Sequence, residues 1–367
     1  MRVSPSLILI SFLLSYNYCY SQSQAPSSFT VTAYYSGNAS AVDSFEAEKL
    51  THIIFSFCHL KSNRLAVDDA GDSVTITKLV GLKKRNPALK VLLSLGGWGG
   101  CESCSQVFSS ARNRKEFAVS VKDLNEYFGT DGIDLDWEYP TIPGYPGHKY
   151  AASDKPNFTA LVKQLRRTLG PKAEISFAAG GFPRFLQEAV EWKKVMKHLN
   201  RVNLMTYDLV HGFDTVTGHH TPLYSTPTQQ YSVDNAVDYL VSIGIDPGKL
   251  VVGAAFYARV WENVPPLNNG LYQSGKFRTS IGYRDFPIAF SASDGFEYYR
   301  DSIAHAPYIY NPVKKLFVTY DDQISVGDKT RYALQNKLNG IMFWQLTHDA
   351  RRNGLLHSIH QAIRNYP

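Results

Sequence analysis

The sequence predicts an α/β fold of the (β/α)8 barrel type, a TIM barrel, in which parallel strands alternate with helices. Eight short apolar runs recur along the chain, and continuous apolar runs are typical of parallel strands buried on both faces. These strand candidates are residues 29–35, 51–57, 90–95, 132–138, 174–179, 201–207, 250–257 and 340–345. Alternation with helices fits a closed barrel or a doubly wound sheet. No Gly-x-Gly-x-x-Gly turn follows the first run, which disfavours the dinucleotide-binding form of the doubly wound sheet.

The segments between the strand candidates have apolar residues at helical spacing. The helix candidates are residues 73–84, 114–128, 156–169, 183–199, 233–243 and 328–337. The chain has 367 residues, of which 44% are hydrophobic and 19% are charged, so it can bury a large core. A barrel of this type has about 250 residues and often more. One large domain therefore accounts for most of the chain.

One interval interrupts the alternation of strands and helices. Between the strand candidate that ends at residue 257 and the helix candidate that begins at residue 328 lie roughly 70 residues, too many for a structureless loop. The interval is rich in Tyr, Phe, Pro and Gly and contains short strand-like pieces. We therefore predict a small α+β insertion at residues 261–320, between strand 7 and helix 7. It divides the barrel into residues 27–260 and 321–367.

The first residues have the pattern of a signal peptide. Arg2 provides a positive charge, and the apolar run at residues 7–14 is too short to span a bilayer. We predict a signal peptide at residues 1–21, with cleavage between positions 21 and 25. A lipoprotein anchor on Cys19 is the alternative, which the bulky Tyr18 before it disfavours. We expect a secreted, extracellular protein (periplasmic in a bacterium) without membrane contact after cleavage.

Charge and cysteine content bear on the partners. The net charge is +6, and the basic runs at residues 83–85 and 166–167 lie in helix candidates. They are better explained as solvated helix faces than as a nucleic-acid-binding patch. Cys58, Cys101 and Cys104 follow the leader, and a zinc site would need a second ligand pair, of which none in the sequence has suitable spacing. We expect no metal, no cofactor and no nucleic-acid partner.

The same cysteines bear on local stability. In an oxidising compartment Cys101 and Cys104 could form a tight disulfide within a loop. Cys58 lies in an apolar strand candidate, where a buried thiol is expected.

The strongest chemical signal is an alternation of acidic and apolar residues at positions 133–138. Successive strand side chains point to opposite faces, so Asp134, Asp136 and Glu138 share one face, and apolar side chains occupy the other. A strand at the solvated edge of a sheet would not need apolar side chains on the face opposite the acids.

Three neighbouring carboxyl groups cannot all ionise at low cost in free energy, so the pKa of at least one of them should rise, as a general acid requires. Glu138 is the last acid, at the mouth of the barrel, and is the acid/base candidate. Asp136 lies beside it, in poor position for the nucleophile of a two-carboxylate enzyme.

Five motifs, which lie in family order along the chain, resemble those of glycoside hydrolase family 18, the chitinases and their relatives. They are Ser-Leu-Gly-Gly-Trp at residues 94–98, Asp-Gly-Ile-Asp-Leu-Asp-Trp-Glu at 131–138, Met-Thr-Tyr-Asp at 205–208, Phe-Tyr-Ala-Arg at 256–259 and Gly-Ile-Met-Phe-Trp at 340–344. They fall on strand candidates 3, 4, 6, 7 and 8 and cover nearly all of the chain after the leader. The resemblance implies a (β/α)8 barrel, with an insertion before the seventh helix that deepens the substrate groove.

The resemblance also implies a substrate-assisted retaining mechanism. Glu138 would protonate the glycosidic oxygen and later activate water, and the substrate's own 2-acetamido carbonyl would attack the anomeric carbon. Asp136 would orient the acetamido N–H, and Asp134 would tune Asp136 through a shared proton. Tyr207 would donate to the acetamido oxygen, and Asp208 would hold the distorted sugar.

Further substrate-binding residues follow from the same resemblance. Trp344 would form the floor of the cleavage subsite, and Trp98 an exposed stacking platform. Arg259 could contact a substrate oxygen or neutralise the acid cluster. The remaining positions are Tyr34, Phe57, Gly97, Met205 and Tyr257. Phe213 departs from the family, which normally carries Trp there.

Three histidines, His211, His219 and His220, lie in a Gly-containing loop after the sixth strand candidate. We interpret them as ordinary polar loop residues rather than metal ligands.

The sequence thus predicts a secreted chitinase that hydrolyses β-1,4-linked N-acetylglucosamine polymers or oligomers and acts as a monomer on chitin or chito-oligosaccharides. One alternative is an endo-β-N-acetylglucosaminidase that acts on other glycans, or a peptidoglycan hydrolase. The insertion favours chitin-like chains. The other alternative is a catalytically weak chitin-binding lectin, which the presence of all three acids disfavours.

Overall fold

The structure, a computed structural model, describes residues 29–367. The predicted signal peptide at residues 1–21 lies outside the described residues.

Eight parallel strands close into a barrel. They are Thr30–Tyr35, His52–Lys61, Lys90–Gly96, Gly132–Asp136, Glu174–Gly180, Val202–Met205, Leu250–Ala255 and Gly340–Trp344. In chain order each strand pairs with the next, and the first also pairs with the eighth, which removes every open edge. The predicted (β/α)8 barrel is confirmed.

Helices cover the outside of the barrel. They are Ala70–Gly81, Cys104–Phe108, Ala111–Phe128, Asp154–Leu169, Trp192–Val195, Val233–Ser242, Gln323–Gln335 and Leu355–Arg364. The core between the helices and the outer strand faces includes Ile53, Leu93, Phe117 and Ile133, all fully buried. No helix of residues 29–367 is long and apolar enough to cross a membrane.

Two helix predictions need correction. The continuous helix expected at residues 183–199 is wrong: a π-helical turn, Phe185–Ala189, is separated from Trp192–Val195 because Val190 is extended. The indole of Trp192 donates to the Leu186 carbonyl across this break. The helix expected to begin at residue 328 begins at Gln323. Asp322 caps it through a reciprocal capping box, which satisfies the first free N–H groups.

The insertion is a five-stranded antiparallel sheet with its own core. In spatial order its strands are Lys276–Gly282, Tyr257–Glu262, Leu316–Thr319, Ala306–Asn311 and Glu297–Asp301. A short helix, Phe286–Ala289, accompanies the sheet. Only Phe256 separates the seventh barrel strand from this sheet. The strand Tyr257–Glu262 therefore crosses the boundary predicted after residue 260.

A second, smaller apolar cluster lies inside the barrel. It contains Tyr34, Ile54, Leu92, Tyr207, Val251, Ala255, Tyr257 and Met342, with Met205 and Trp344 packed against it. Its aromatic members belong to residues at or just beyond the carboxyl ends of strands. This cluster therefore supports the barrel mouth, where the acidic residues also lie.

Candidate active site

The acidic motif begins in the fourth barrel strand and continues beyond its carboxyl end. Strand pairing ends at Asp136, so Glu138 lies two residues beyond it, partly exposed at the mouth. On the opposite face Trp137 is 1% exposed and packs against Phe108 and Phe158, with ring centroids 5.7 and 6.2 Å away. This packing fixes the backbone that presents the carboxylates.

Asp134 is the deepest of the three acids and is fully buried. Its carboxylate accepts hydrogen bonds from the Tyr34 hydroxyl (3.0 Å), the Ser94 hydroxyl (3.3 Å), the Asn203 amide (3.1 Å) and the Ser176 hydroxyl. Burial raises the pKa of Asp134, although all four hydrogen bonds act to lower it. Asn203 and Ser176 lie outside the motifs that predicted the site.

Asp136 has fewer partners. It is 3% exposed, and within the described part of the chain its Oδ1 atom has no hydrogen-bond partner. Burial raises the pKa of Asp136 well above its usual range, and the charges of Glu138 and Asp134 raise it further. A buried carboxyl oxygen without a partner is costly, which makes it a ready acceptor for a ligand N–H group.

The pKa of Glu138 is raised as well. Burial and the negative charge of Asp208 raise the pKa of Glu138 to about 8. The side chain is therefore mostly protonated at neutral pH, the state in which a carboxyl group can donate a proton.

Tyr207 and Asp208 follow the sixth barrel strand. The Tyr207 hydroxyl lies 3.9 Å from the Met342 sulfur. Burial and, to a smaller extent, the charge of Asp136 raise the pKa of Tyr207, so its hydroxyl stays a neutral donor.

Asp208 has a left-handed backbone (φ 55°) and forms a bidentate pair with Arg259, at 2.6 and 2.5 Å. Burial alone would raise the pKa of Asp208, but the nearby His220 ring and the hydrogen bonds from Arg259 lower it. Of the two roles expected for Arg259, this structure places it as the counter-ion of Asp208.

The expectation that the three histidines are ordinary loop residues is wrong for two of them. His220 is fully buried, with Nδ1 3.5 Å from Asp208 Oδ1 and its ring 5.3 Å from that of Tyr257. His219 is 1% exposed, and its Nε2 lies 3.1 Å from Asp301 of the insertion sheet. Only His211 is half-exposed. Their burial results from the insertion sheet covering this loop, which sequence spacing does not reveal.

The floor of the mouth is aromatic. The rings of Phe57 and Trp344 stack at 5.6 Å, and Tyr34 lies 5.9 Å from Trp344. Gly97 has φ +82°, and an added Cβ atom there would lie 2.4 Å from the Phe57 ring. Tyr257 lies 6.1 Å from Tyr207, and Met205 is partly buried beside it.

Replacing Gly97 by Ala is expected to lower the free energy of unfolding by about 1–3 kcal/mol more than replacing Gly147 by Ala. Both glycines have a left-handed backbone, but nothing lies within 4 Å of an added Cβ at Gly147. The difference between the variants, measured by urea unfolding, isolates the overlap with Phe57. Equal losses would show that the Phe57 ring shifts freely.

A second aromatic group stands beside the acid. Trp98 is 51% exposed and lies 5.9 Å from Tyr139, 5.7 Å from Tyr145 and 6.5 Å from Phe213, which is itself 68% exposed. Shortly after Trp98, Cys101 and Cys104 form a disulfide.

Cys58 is buried, and burial raises the pKa of its thiol. Among residues 29–367 no three His, Cys, Asp or Glu side chains converge in a metal-binding arrangement.

Comparison with known proteins identifies the family. Residues 29–349 match the sequence model of glycosyl hydrolases family 18. Chitinase A1 of Niallia circulans is 33% identical over 301 residues, which are 76% of this chain and 43% of that protein. The oviduct-specific glycoprotein of Bos taurus is 30% identical over 318 residues, 82% of this chain and 58% of that protein. The chain thus spans about half the length of these curated relatives.

A solved structure matches over nearly its whole length. It is a glycoside hydrolase family 18 N-acetylglucosaminidase from Paenibacillus barengoltzii, with 34% sequence identity and a TM-score of 0.83. The match covers 91% of this chain and 99% of that chain. The resemblance seen in the five motifs is confirmed, and the chain belongs to glycoside hydrolase family 18.

Proposed function

We propose that this chain is a secreted chitinase that hydrolyses β-1,4-linked N-acetylglucosamine polymers or oligomers with retention of configuration. The observation that carries the proposal is a partly exposed carboxyl group, Glu138, whose pKa is raised to about 8. It lies two residues from Asp136, which has a buried carboxyl oxygen without a hydrogen-bond partner among residues 29–367. The names of two relatives, a chitinase and an N-acetylglucosaminidase, support this substrate class.

The first step cleaves the glycosidic bond. Glu138 donates its proton to the glycosidic oxygen, so that the leaving sugar departs as an alcohol. The acetamido carbonyl oxygen of the bound sugar attacks C1 and forms a cyclic oxazolinium ion. Asp136 accepts the acetamido N–H on its free oxygen and opposes the positive charge. The neutral Tyr207 hydroxyl donates to the acetamido oxygen and aligns it.

The second step returns the enzyme to its starting state. Glu138, now a carboxylate, takes a proton from water, and the hydroxide formed attacks C1 on the face that the leaving group vacated. Two successive inversions give retention. No protein nucleophile is needed, which agrees with the placement of Asp136 at the end of the strand, two residues before Glu138, instead of across the substrate.

Hydrolysis of chitotetraose, followed by anomer-resolved chromatography, tests the proposal. We expect the first products to carry the β anomer. Initial α anomers would contradict substrate-assisted retention. A folded chain that binds the oligomer without cleaving it would favour a lectin.

Activity is expected to fall as the pH rises through about 8, because the Glu138 acid must be protonated and its pKa is raised to about 8. Since the charge of Asp208 contributes to that shift, Asp208→Asn should move the alkaline limb of the kcat/KM profile to lower pH. Asp123→Asn, on an outer helix, serves as the control and should leave the limb in place. An alkaline limb that stays fixed in Asp208→Asn would refute this electrostatic link.

A further inference from the structure

His220 is a buried titratable residue that takes no part in the mechanism proposed above. Its side chain is fully buried, and neither of its ring nitrogens has a hydrogen-bond partner among residues 29–367. His219, the residue before it, is equally buried, but its Nε2 atom lies 3.1 Å from a carboxylate oxygen of Asp301. Burying a polar group without a partner costs free energy, so packing alone does not explain a histidine at position 220.

The His220 ring is surrounded by groups from the loop after the sixth barrel strand and from the insertion. Its Nδ1 atom lies 3.5 Å from Asp208 Oδ1. Arg259 of the insertion sheet pairs with the same carboxylate, and the charge of Asp321, just beyond that sheet, also acts on the ring. The ring of Tyr257 lies 5.3 Å away. Among these groups, Asp208 is the acceptor that Nδ1 approaches.

The backbone of His220 is held at both of its polar groups. Its N–H donates to the Thr319 hydroxyl of the insertion sheet at 3.0 Å, and its carbonyl accepts the N–H of Leu209 at 3.0 Å. Leu209 directly follows Asp208, whose backbone is left-handed. The insertion sheet therefore holds the His220 ring beside the Asp208 carboxylate.

The protonation state of His220 decides how it can act on Asp208. Burial lowers the pKa of the His220 ring, so the ring is neutral at neutral pH. A neutral imidazole carries one N–H donor, and the tautomer with the proton on Nδ1 directs it at Asp208. Hydrogen bonds of catalytic groups are often long in a free enzyme and shorten when substrate binds, which fits the separation of 3.5 Å.

We propose that His220 is a positioning residue of the active site, which donates from Nδ1 to Asp208 during the reaction and keeps that carboxylate fixed and charged. The inference rests on the function proposed above and adds a residue to its machinery. Asp208 acts on the acid through its negative charge, which raises the pKa of Glu138. A change at His220 is therefore transmitted through Asp208 to the pH range in which Glu138 donates its proton.

The test compares variants of the two neighbouring buried histidines. His220→Leu removes the donor, and we expect it to lower kcat on chitotetraose about tenfold, because Asp208 is no longer held in place. It should also move the alkaline limb of the kcat/KM profile to higher pH, since the negative charge of Asp208 is less offset. His219→Leu is the matched control, because that ring contacts Asp301 instead, and it should leave kcat and the limb unchanged.

A conservative variant separates the donor from the bulk of the ring. His220→Asn keeps an N–H donor close to the place of Nδ1 and should recover kcat at least about threefold over His220→Leu. If His220→Leu does not fold, His220→Phe, which keeps a ring without nitrogens, replaces it in this comparison. Circular dichroism of each variant checks the fold.

Three results would overturn the role of His220. They are a folded His220→Leu with the kcat and the alkaline limb of the wild type, equal losses in the Leu and Asn variants, or an equal loss of kcat in His219→Leu. Each of them leaves the chitinase proposal intact as long as the wild type cleaves chitotetraose. A folded wild type that does not cleave it would contradict the proposed function itself.

Discussion

Replacing Glu138 by Gln is expected to lower kcat on chito-oligosaccharides by about 10²-fold or more. The amide keeps the size of the side chain and its place at the end of the fourth barrel strand, but it has no acid proton to give to the leaving oxygen. Binding of the oligomer should persist, because the aromatic floor and platform remain. Single-turnover hydrolysis of chitotetraose and a separate binding titration measure the two properties.

A matched control distinguishes loss of the acid from damage to the fold. Glu188→Gln changes a half-exposed acid on the outside of the barrel and should retain full activity. If Glu138→Gln kept more than about a tenth of the wild-type kcat, another group would have to supply the proton.

The same variant should show a pH-dependent gain in stability. The folded-state pKa of Glu138 is raised from 4.5 to about 8, so the wild type becomes less stable relative to Glu138→Gln as the pH rises through that window. Below pH 4.5 both side chains are neutral, so Glu138→Gln should be no more stable than the wild type. Thermal melts of both proteins at pH 4 and pH 9 measure this difference in stability. A difference that is larger at pH 4 than at pH 9 would contradict a raised pKa of Glu138.

The barrel could be predicted because parallel strands that are buried on both faces consist of continuous runs of apolar residues. Each of the eight runs became a strand with its bounds shifted by a few residues. The break at Val190 could not be predicted, since the apolar spacing of residues 183–199 continues through it. It depends on where Trp192 packs, which is a tertiary effect.

The acidic motif could be predicted from alternation within one strand, but its partners could not. Ser94 and Ser176 stand opposite Asp134 on the two neighbouring strands, and that pairing depends on strand register. Asn203 reaches Asp134 from a strand farther round the barrel. His220 meets Asp208 only because the insertion sheet covers its loop: its backbone N–H donates to Thr319 of that sheet at 3.0 Å.

A fully buried ion pair near residues 205–208, the motif after the sixth barrel strand, is another feature that the spacing of residues in the sequence did not reveal. Lys329 and Asp321 are both 0% exposed at the side chain and lie 2.6 Å apart. Lys329 also donates to the Thr221 hydroxyl, which in turn donates to the carbonyl of Thr206 at 3.0 Å. Asp321 accepts the Ala255 N–H at 2.9 Å. The pair therefore joins a helix, the end of the seventh barrel strand and the residue directly before Tyr207.

Replacing Lys329 by Met is expected to lower the free energy of unfolding by about 3–5 kcal/mol, because Asp321 would remain buried without a counter-ion. Lys314→Met, at a half-exposed position on the insertion, should change it by less than about 0.5 kcal/mol.

Adding Asp321→Asn to Lys329→Met removes the unpaired charge and keeps an acceptor for Ala255, so much of the lost stability should return. Urea unfolding of the four chains measures both effects. If the double variant were no more stable than Lys329→Met, the loss would come from the cavity left by the lysine. Because the ion pair holds the backbone before Tyr207, a restored double variant with reduced kcat would show that stability and alignment of Tyr207 are separate consequences of the same buried charge.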